Sequence, residues 1–489
     1  MNNFIDNTWL PSETGRTFDN VNPADINDVI GAFPLSSALD VNAAVSAAAR
    51  AFAEWRLVPA PKRGDILRRA GDIFTRRKDE LAEVMTREMG KTITETKGDI
   101  QEAIDTAYYA ATETRRLFGY TAPSEMSNKM NMSFRMPIGV CGIITAWNFP
   151  IAVPSWKILP ALAAGNTVVF KPSDDSPHSA NIFAEILLEA GLPAGVFNVI
   201  HGDAEAGSAI VEHPDVRVVG FTGSTHTGKA IAARCGQLNK KVSLEMGGKN
   251  AQIVMDDADM DLAIDGVLWG AFGTTGQRCT ATSRLILHEA IHDEFVRRLT
   301  EAATKIVLGD GRKPGSQVGP VINERQREKI LSYIEIGRQE ARCVLGGERD
   351  MDGDKARGHF IKPTIFVDVK PHHRIFQEEI FGPVLSVTKV SSYQEAIAVA
   401  NDCQYGLSSS IYTRDVSRAF AAIRDIEAGI TYINAPTIGA EAHMPFGGIK
   451  GTGNGHREGG WTVFDIFTEW KTVYVDYSGH LQRAQIDNY

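Results

Sequence analysis

Three residue types in three short segments could perform acyl chemistry together. They are a cysteine in TTGQRCTAT (274–282), an asparagine in AWNFP (146–150) and a glutamate in LEMGGKN (244–250). Cys279 is a candidate nucleophile if something nearby helps it reach the thiolate. Asn148 could donate its side-chain amide N–H to an oxyanion, with the Cys279 backbone N–H as a second donor. One such donor is worth about 3–4 kcal/mol in a transition state. Asn148 could equally do no more than cap a turn before Pro150. Glu245, directly before a Met-Gly-Gly turn, becomes a workable base near neutral pH where water is excluded. On a solvated strand end it is an ordinary surface glutamate. Arg278 could lower the thiol pKa, anchor a carboxylate on a substrate, or turn away into a structural ion pair.

These segments need a scaffold, and the hydrophobic pattern supplies one. Residues 41–115 read as helices, with apolar residues three to four apart in AAVSAAARAFAEW and GDILRRAGDIFTRRKDELAEVMTREMG. From 140 to 250 the runs VCGIITAW, TVVFKP, VFNVIHG, VRVVGFTG and KVSLEMGG read as strands. The segments near 156–164, 176–190, 203–213 and 225–235 between them read as helices. Apolar strands alternating with helices predict a parallel sheet covered on both faces, the texture of a nucleotide-binding domain. Asn148 and Glu245 both follow strands of this sheet, where such folds place their sites. A second alternation, from AQIVM through SRLILH, PTIFVDV, PVLSVTKV and SSSIYT to AGITYIN, predicts a second α/β domain. NKMNMSFRMPIG (128–139) and FTEWKTVYVDYSG (467–479) fit neither domain. Unpaired edges are a liability, so these strands are expected to pair with each other or with another subunit.

Bulk properties narrow the classes. At 489 residues, two or three domains are expected. The formal charge of −9 without a basic stripe argues against a nucleic-acid partner. No apolar run approaches the length of a membrane span, and the first fifteen residues lack the basic and apolar regions of a signal peptide. The five cysteines form no CxxC pair, which points to free thiols in a reducing, cytoplasmic compartment and to no metal site.

AWNFP, LEMGGKN and GQRC, in that order and 97 and 34 residues apart (Asn148 to Glu245 to Cys279), resemble the aldehyde dehydrogenase superfamily. The resemblance runs on through GNTVVFKPS, GLPAGVFNVI, FTGSTHTG, QEEIFGPV, ANDCQYGLSSSIYT and MPFGGIKGTG, so it covers nearly the whole chain. It implies two Rossmann-like three-layer α/β domains and a small β oligomerisation arm. Residues 1–120 and 140–247 would bind a dinucleotide, 248–447 would carry the nucleophile, and 121–139 with 467–489 would form the arm of a homodimer or homotetramer. It also implies NAD(P)-dependent oxidation of an aldehyde to an acid. Cys279 would attack the carbonyl, Asn148 would hold the oxyanion, and hydride loss would leave a thioester. Glu245 would activate the hydrolytic water, which separates this chain from relatives that pass the acyl group to coenzyme A. Lys157 and Glu458 match positions that would relay protons. GTGNGHREGG is one residue longer than the family pattern, and Lys157 alone could be a helix-surface lysine.

For the cofactor, the resemblance assigns Lys171, Ser173 and Asp174 to the adenosine ribose. Gly223 and Ser224 would meet the pyrophosphate at a helix start, and Gly207 would allow close approach of the cofactor. Ile144, Thr145, Trp147 and Gly247 would line the cleft, Glu379 would meet the nicotinamide ribose, and Phe381 would lie against the nicotinamide or simply pack. A carboxylate at Asp174 would favour NAD by repelling the 2′-phosphate of NADP, but aspartate is short enough to leave NADP possible. Phe149, Val153, Trp156, Arg278, Thr280 and INAPTIGAEAHMPF would line the substrate pocket. GTGNGHREGG and LQRAQIDNY are most similar to the branch that oxidises α-ketoglutaric semialdehyde (2,5-dioxopentanoate), which implies a carboxylated semialdehyde. Betaine aldehyde, succinic semialdehyde and broad aliphatic substrates remain open. A catalytically silent member kept as a binding protein would be expected to have lost the thiol or the base, and an esterase would not need the dinucleotide segments.

Overall fold

A computed structural model describes residues 1–487 of the chain. Its first sheet runs Lys241–Glu245, Val216–Thr222, Val140–Ile144, Thr167–Lys171, Phe197–Val199, Asn3–Ile5, Thr8–Leu10. The first five strands are parallel, as their apolar runs predict. Asn3–Ile5 and Thr8–Leu10 add an antiparallel hairpin at one edge that the sequence reading did not anticipate. Helices Ala38–Trp55 and Ala204–Glu212 cover one face through Val41, Ala44, Val45 and Ile210. Ala60–Arg76, Ile93–Glu113, Ala152–Ala164 and Pro177–Glu189 cover the other. The long helical stretch before residue 90 is two helices, Ala60–Arg76 and Lys78–Met89. They part at Arg77 (φ −94°, ψ 12°), whose guanidinium bridges Glu80 and Glu185 instead of continuing the helical surface.

The second sheet runs Arg342–Leu345, Thr364–Val367, Val384–Val390, Thr282–His288, Asn250–Val254, Ser408–Tyr412, Ile430–Ile433, parallel except for Arg342–Leu345 at its edge. Its strands alternate between two cores. Ile253, Ile286 and Phe366 face Ile330 and Ile334, while Val254, Leu285 and Val367 face Val267, Phe295 and Leu299. Both sheets are therefore sandwiched by helices.

Lys129–Pro137 and Thr468–Asp476 pair antiparallel over their whole length, with Tyr120–Pro123 as a third strand. The two segments that fit neither domain thus pair with each other. Their outer surface stays aromatic, with Tyr120, Trp470 and Tyr474 exposed. The last two residues of the 467–489 segment lie outside the described residues.

Candidate active site

The thiol follows a turn that its own sequence resists. The helix Met260–Phe272 runs into Gly273, and then Thr274 (φ 52°), Thr275 (φ 58°) and Gly276 (φ 66°) are all left-handed. A β-branched residue in that conformation costs about 1–3 kcal/mol. Neighbouring elements hold it there. The Thr274 N–H (2.6 Å) and hydroxyl (3.2 Å) donate to Glu95 Oε1, and the Thr275 hydroxyl donates to the Gly319 carbonyl at 2.9 Å. Gln277 donates to Pro320 O at 3.3 Å and accepts from the Ile322 N–H at 3.0 Å. At Gly276 a Cβ would lie 2.2 Å from the Gly382 carbonyl oxygen, so only glycine fits. The MGGKN turn is locked to the same loop. Asn250 donates to the Cys279 carbonyl at 2.8 Å, and a Cβ on Gly248 would sit 2.5 Å from that oxygen.

Cys279 stands where two cavities meet. One, of about 680 Å³, is lined by Phe149, Val153, Trp156, Arg278 and Thr280 and by the 438–446 segment. The other, of about 430 Å³, is lined by Trp147, Asn148, Gly223, Ser224, Gly247, Glu379 and Phe381. Asn148 is 4% exposed, and its Nδ2 donates to the Gln277 carbonyl at 3.2 Å, which leaves the second amide hydrogen. The side chain is thus tied to the cysteine loop rather than to a turn before Pro150.

Glu245 ends its strand at 4% exposure, and neither carboxylate oxygen has a hydrogen-bond partner among the described residues. Burial and the nearby Glu458 carboxylate push its pKa well above the ordinary glutamate range, against the opposing pull of Lys157 and Arg457. Lys157 is buried too, not on a helix surface. Its ammonium pairs with Glu458 and donates to Thr222 Oγ1 at 2.5 Å. Glu458 is fixed by an isolated bridge to Phe446, its Oε2 has no partner among the described residues, and burial raises its pKa. The extra residue in GTGNGHREGG therefore does not displace Glu458 from the site.

The second cavity has the features of a dinucleotide cleft. Ser224 caps the helix Thr225–Gln237 by accepting the Thr227 N–H, so unpaired N–H groups of the first turn lie beside Gly223. Phe381, held at φ 61°, meets Trp147 edge-on with ring centroids 5.4 Å apart. Glu379 Oε1 accepts the Gly248 N–H at 2.9 Å, and a Cβ on Gly247 would sit 2.3 Å from Oε2. Ile144, Thr145, Lys171, Ser173 and Asp174 lie farther along the same strand ends. Ile144 and Lys171 are register partners, and the Thr145 N–H donates to the Lys171 carbonyl at 3.3 Å. Lys171 is buried with its ammonium donating to Pro172 O at 2.7 Å, Ser173 donates to Asp174 Oδ1 at 3.3 Å, and Asp174 is exposed. A Cβ at Gly207 would be in ordinary contact with Lys171 Cδ at 3.6 Å, so the protein itself does not demand glycine there.

Arg278 attracts the thiolate, but its pull is outweighed. Although Cys279 is partly open to the cavities, burial and the carboxylates Glu245, Glu379 and Glu458 push its thiol up to about 12. Arg278 instead spans the cavity floor. Its Nε donates to Thr274 Oγ1 at 2.9 Å, and its guanidinium lies 4.7 Å from the Trp269 ring centroid and 5.7 Å from that of Phe149. The contact with Glu95 is long, 3.7 Å, and the remaining guanidinium N–H groups have no hydrogen-bond partner among the described residues.

Sequence reasoning missed one wall of the larger cavity. Glu95, Asp99, Glu102, Asp105 and Tyr109 on the helix Ile93–Glu113 line it, with Trp269 opposite. The signal was acids at i, i+4 and i+7, which in sequence is indistinguishable from a solvated helix face. It also missed Lys329, Arg325 and Gln326, which put two cations beside the dinucleotide-like cleft.

The model of the aldehyde dehydrogenase family matches residues 9–473. The alpha-ketoglutaric semialdehyde dehydrogenase of Bacillus subtilis (strain 168) is 42% identical over 475 residues, 97% of each chain. A crystal structure of an E. coli NADP dependent enzyme superposes with a TM-score of 0.94 at 38% identity, covering 97% of this chain and 98% of that one. The Staphylococcus aureus betaine aldehyde dehydrogenase in complex with NAD+ superposes with a TM-score of 0.96 at 34% identity, covering 98% of this chain and 95% of that one.

Proposed function

Because this chain belongs to the aldehyde dehydrogenase family, an oxidoreductase acting on aldehydes, we propose that Cys279, Asn148 and Glu245 convert a carboxylated semialdehyde to its acid. The observation that carries the reading is the position of the thiol at the junction of two cavities, one suited to an aldehyde and the other to a dinucleotide. Cys279 Sγ adds to the aldehyde carbon, its proton passing to a nearby unpaired carboxylate. The remaining Asn148 amide hydrogen and the Cys279 backbone N–H stabilise the oxyanion of the thiohemiacetal. When bound, NAD accepts a hydride. Glu245 then takes a proton from the water that hydrolyses the thioester, and Lys157 with Glu458 passes that proton on.

The cofactor residues fit a dinucleotide. Gly223 and Ser224 offer a helix N-terminus to the pyrophosphate, Glu379 reaches a ribose, and Trp147 with Phe381 walls the nicotinamide end. Asp174 is exposed where a 2′-phosphate would approach, which favours NAD over NADP. Arg278, with donors free at the cavity floor, suits the distal carboxylate of 2,5-dioxopentanoate, the substrate class named by the Bacillus relative. A cationic aldehyde such as betaine aldehyde is the second reading. It is favoured by five acids and the rings of Phe149, Trp156 and Trp269 around the same cavity. The exposed aromatic rings of the three-stranded sheet support a homodimer or homotetramer. Five free thiols without a disulfide support a reducing, cytoplasmic setting, and no helix among the described residues is long and apolar enough to cross a membrane.

The test follows NADH and NADPH formation with 2,5-dioxopentanoate, succinic semialdehyde, betaine aldehyde and pentanal. The highest kcat/KM is expected with 2,5-dioxopentanoate and NAD. A preference for pentanal or betaine aldehyde would remove the carboxylated class.

A further inference from the structure

The helix Ile93–Glu113 turns four acids toward the larger cavity; Asp105, at the exposed end, accepts from Gln101 at 2.9 Å, and two of the other three are already committed. Glu95 Oε2 accepts the Thr92 N–H and hydroxyl, both at 3.0 Å, as a helix cap, and its Oε1 accepts Thr274. Asp99 takes the Lys91 ammonium at 2.7 Å on one oxygen and the Ala152 N–H at 2.7 Å on the other. Glu102, one turn farther along, differs. Its Oε1 is sealed from water and has no hydrogen-bond partner among the described residues. A buried polar atom left without a partner is a standing penalty unless something else supplies the bond. The groups facing it are Asp99 and Asp105 on its own helix, Lys91 from the preceding loop, Arg278 from the cysteine turn and Tyr432 from the strand Ile430–Ile433. Lys91 is taken by Asp99, and Tyr432 donates to the Gly439 carbonyl at 3.1 Å. Oε1 is as closed to a ligand as it is to water, but the other oxygen, Oε2, is not sealed, has no hydrogen-bond partner among the described residues, not even Arg278, and is the atom that a molecule in the cavity can meet.

We propose that Glu102 is a specificity-determining residue that donates a hydrogen bond to the 2-oxo oxygen of a short 2-oxo acid semialdehyde whose carboxylate lies on Arg278. The proposal rests on the substrate reading above and deepens it. A carboxylated ligand brings a negative charge into a cavity already ringed by acids, so its neighbour must be neutral. Burial, with Asp99 adding to it, raises the Glu102 carboxyl to about 8 despite Lys91 and Arg278. At neutral pH it carries its proton, and the acceptor it needs is a carbonyl oxygen. The pair then reads two features at once: Arg278 the carboxylate, and Glu102 the oxo group beside it. A semialdehyde of the same length with a methylene in place of the oxo group would leave Glu102 unpaired.

The experiment compares kcat/KM, with NAD, for 2,5-dioxopentanoate and for glutaric semialdehyde, which lacks only the 2-oxo group. It uses the wild type, Glu102→Gln and Glu102→Ala. The wild type should prefer the oxo acid, and Glu102→Ala should shrink that preference by about tenfold or more, the worth of one buried hydrogen bond. Glu102→Gln keeps an N–H donor in nearly the same shape, so it should keep the preference. The wild-type preference should fall between about pH 7 and about pH 9 as Glu102 ionises, and in Glu102→Gln it should not. An unchanged ratio in Glu102→Ala, or a flat wild-type profile, overturns the proposal. So does a gain in preference on removing the carboxyl. A better rate with betaine aldehyde that Glu102→Gln depresses would show Glu102 acting as an anion, with the same result. Failure of the substrate reading looks different: neither carboxylated aldehyde would then outperform pentanal in the wild type.

Discussion

The two walls that meet at Cys279 treat carboxylates in opposite ways. Behind the thiol, Glu245 and Glu458 are buried with three of their four oxygens unpartnered among the described residues, of which Lys157 is the one cation paired with them. Across the larger cavity, Glu95 and Asp99 are equally buried but every oxygen is bonded. A carboxylate that is desolvated without donors is basic, because its charge has nothing to lean on, whereas one that accepts two or more hydrogen bonds is an anchor. The residue type is the same in both places, so chemistry and scaffolding are told apart here by the count of donors. Glu102 stands on the scaffold wall with the bonding state of the reactive wall, which is why it attracts the further inference.

The largest test of this contrast is removal of the thiol itself. Cys279→Ala should lower kcat by about 10⁴-fold or more while leaving the melting temperature close to wild type. A variant that still forms NADH at a substantial rate would move the nucleophile elsewhere. Next comes the reactive wall. In Glu245→Gln, steady-state turnover should fall by about 10²–10⁴-fold. A rapid burst of NADH, near one equivalent per site, should survive, because the first half of the reaction needs the thiol, the oxyanion donors and an acceptor for the thiol proton, and Glu458 Oε2 remains for that. Loss of the burst together with turnover would mean Glu245 also serves the first proton transfer.

A finer test uses pH. As a base Glu245 must be ionised, so the rate of the hydrolytic step rises with pH through its raised pKa and is lost below it. The Glu458 charge is part of what raises that pKa, so Glu458→Gln should move the acid limb to lower pH. Lys157 opposes the shift, and Lys157→Met should move the limb the other way. Acid limbs that move together, or not at all, would break the assignment of this wall.

The smallest effect belongs to the anchors. Glu95→Ala removes the acceptor of the Thr274 N–H and should destabilise the protein by about 1–3 kcal/mol. That loss is readable in a denaturant melt, with no displacement of the acid limb. A pH shift without loss of stability would place Glu95 among the reactive acids.

Much of this molecule could be read before folding was considered. Strand and helix periods located the parallel strands of both sheets, because a strand buried on two faces has to be apolar throughout, but not the antiparallel edge strand Arg342–Leu345. The ordered trio of Asn148, Glu245 and Cys279, with their flanking motifs, marked the family. Other features were hidden for definite reasons. Asn3–Ile5 and Thr8–Leu10 are three residues each, too short for any period to register. The break at Arg77 has no glycine or proline to announce it. Lys157 sits on a helix that is buried all round, so its charge looked like a surface feature until the Glu458 segment, three hundred residues later, was seen to cover it.

The order of residues alone determined which groups could react, since nucleophile, amide and carboxylate are properties of side chains. It also determined that two sheets would form, since hydrophobic period is local. Only the tertiary structure decided how acidic each group is. Solvent exclusion and the number of donors around an oxygen depend on segments far apart in the chain, and these set the basicity of Glu245, the commitment of Glu95 and the open valence of Glu102.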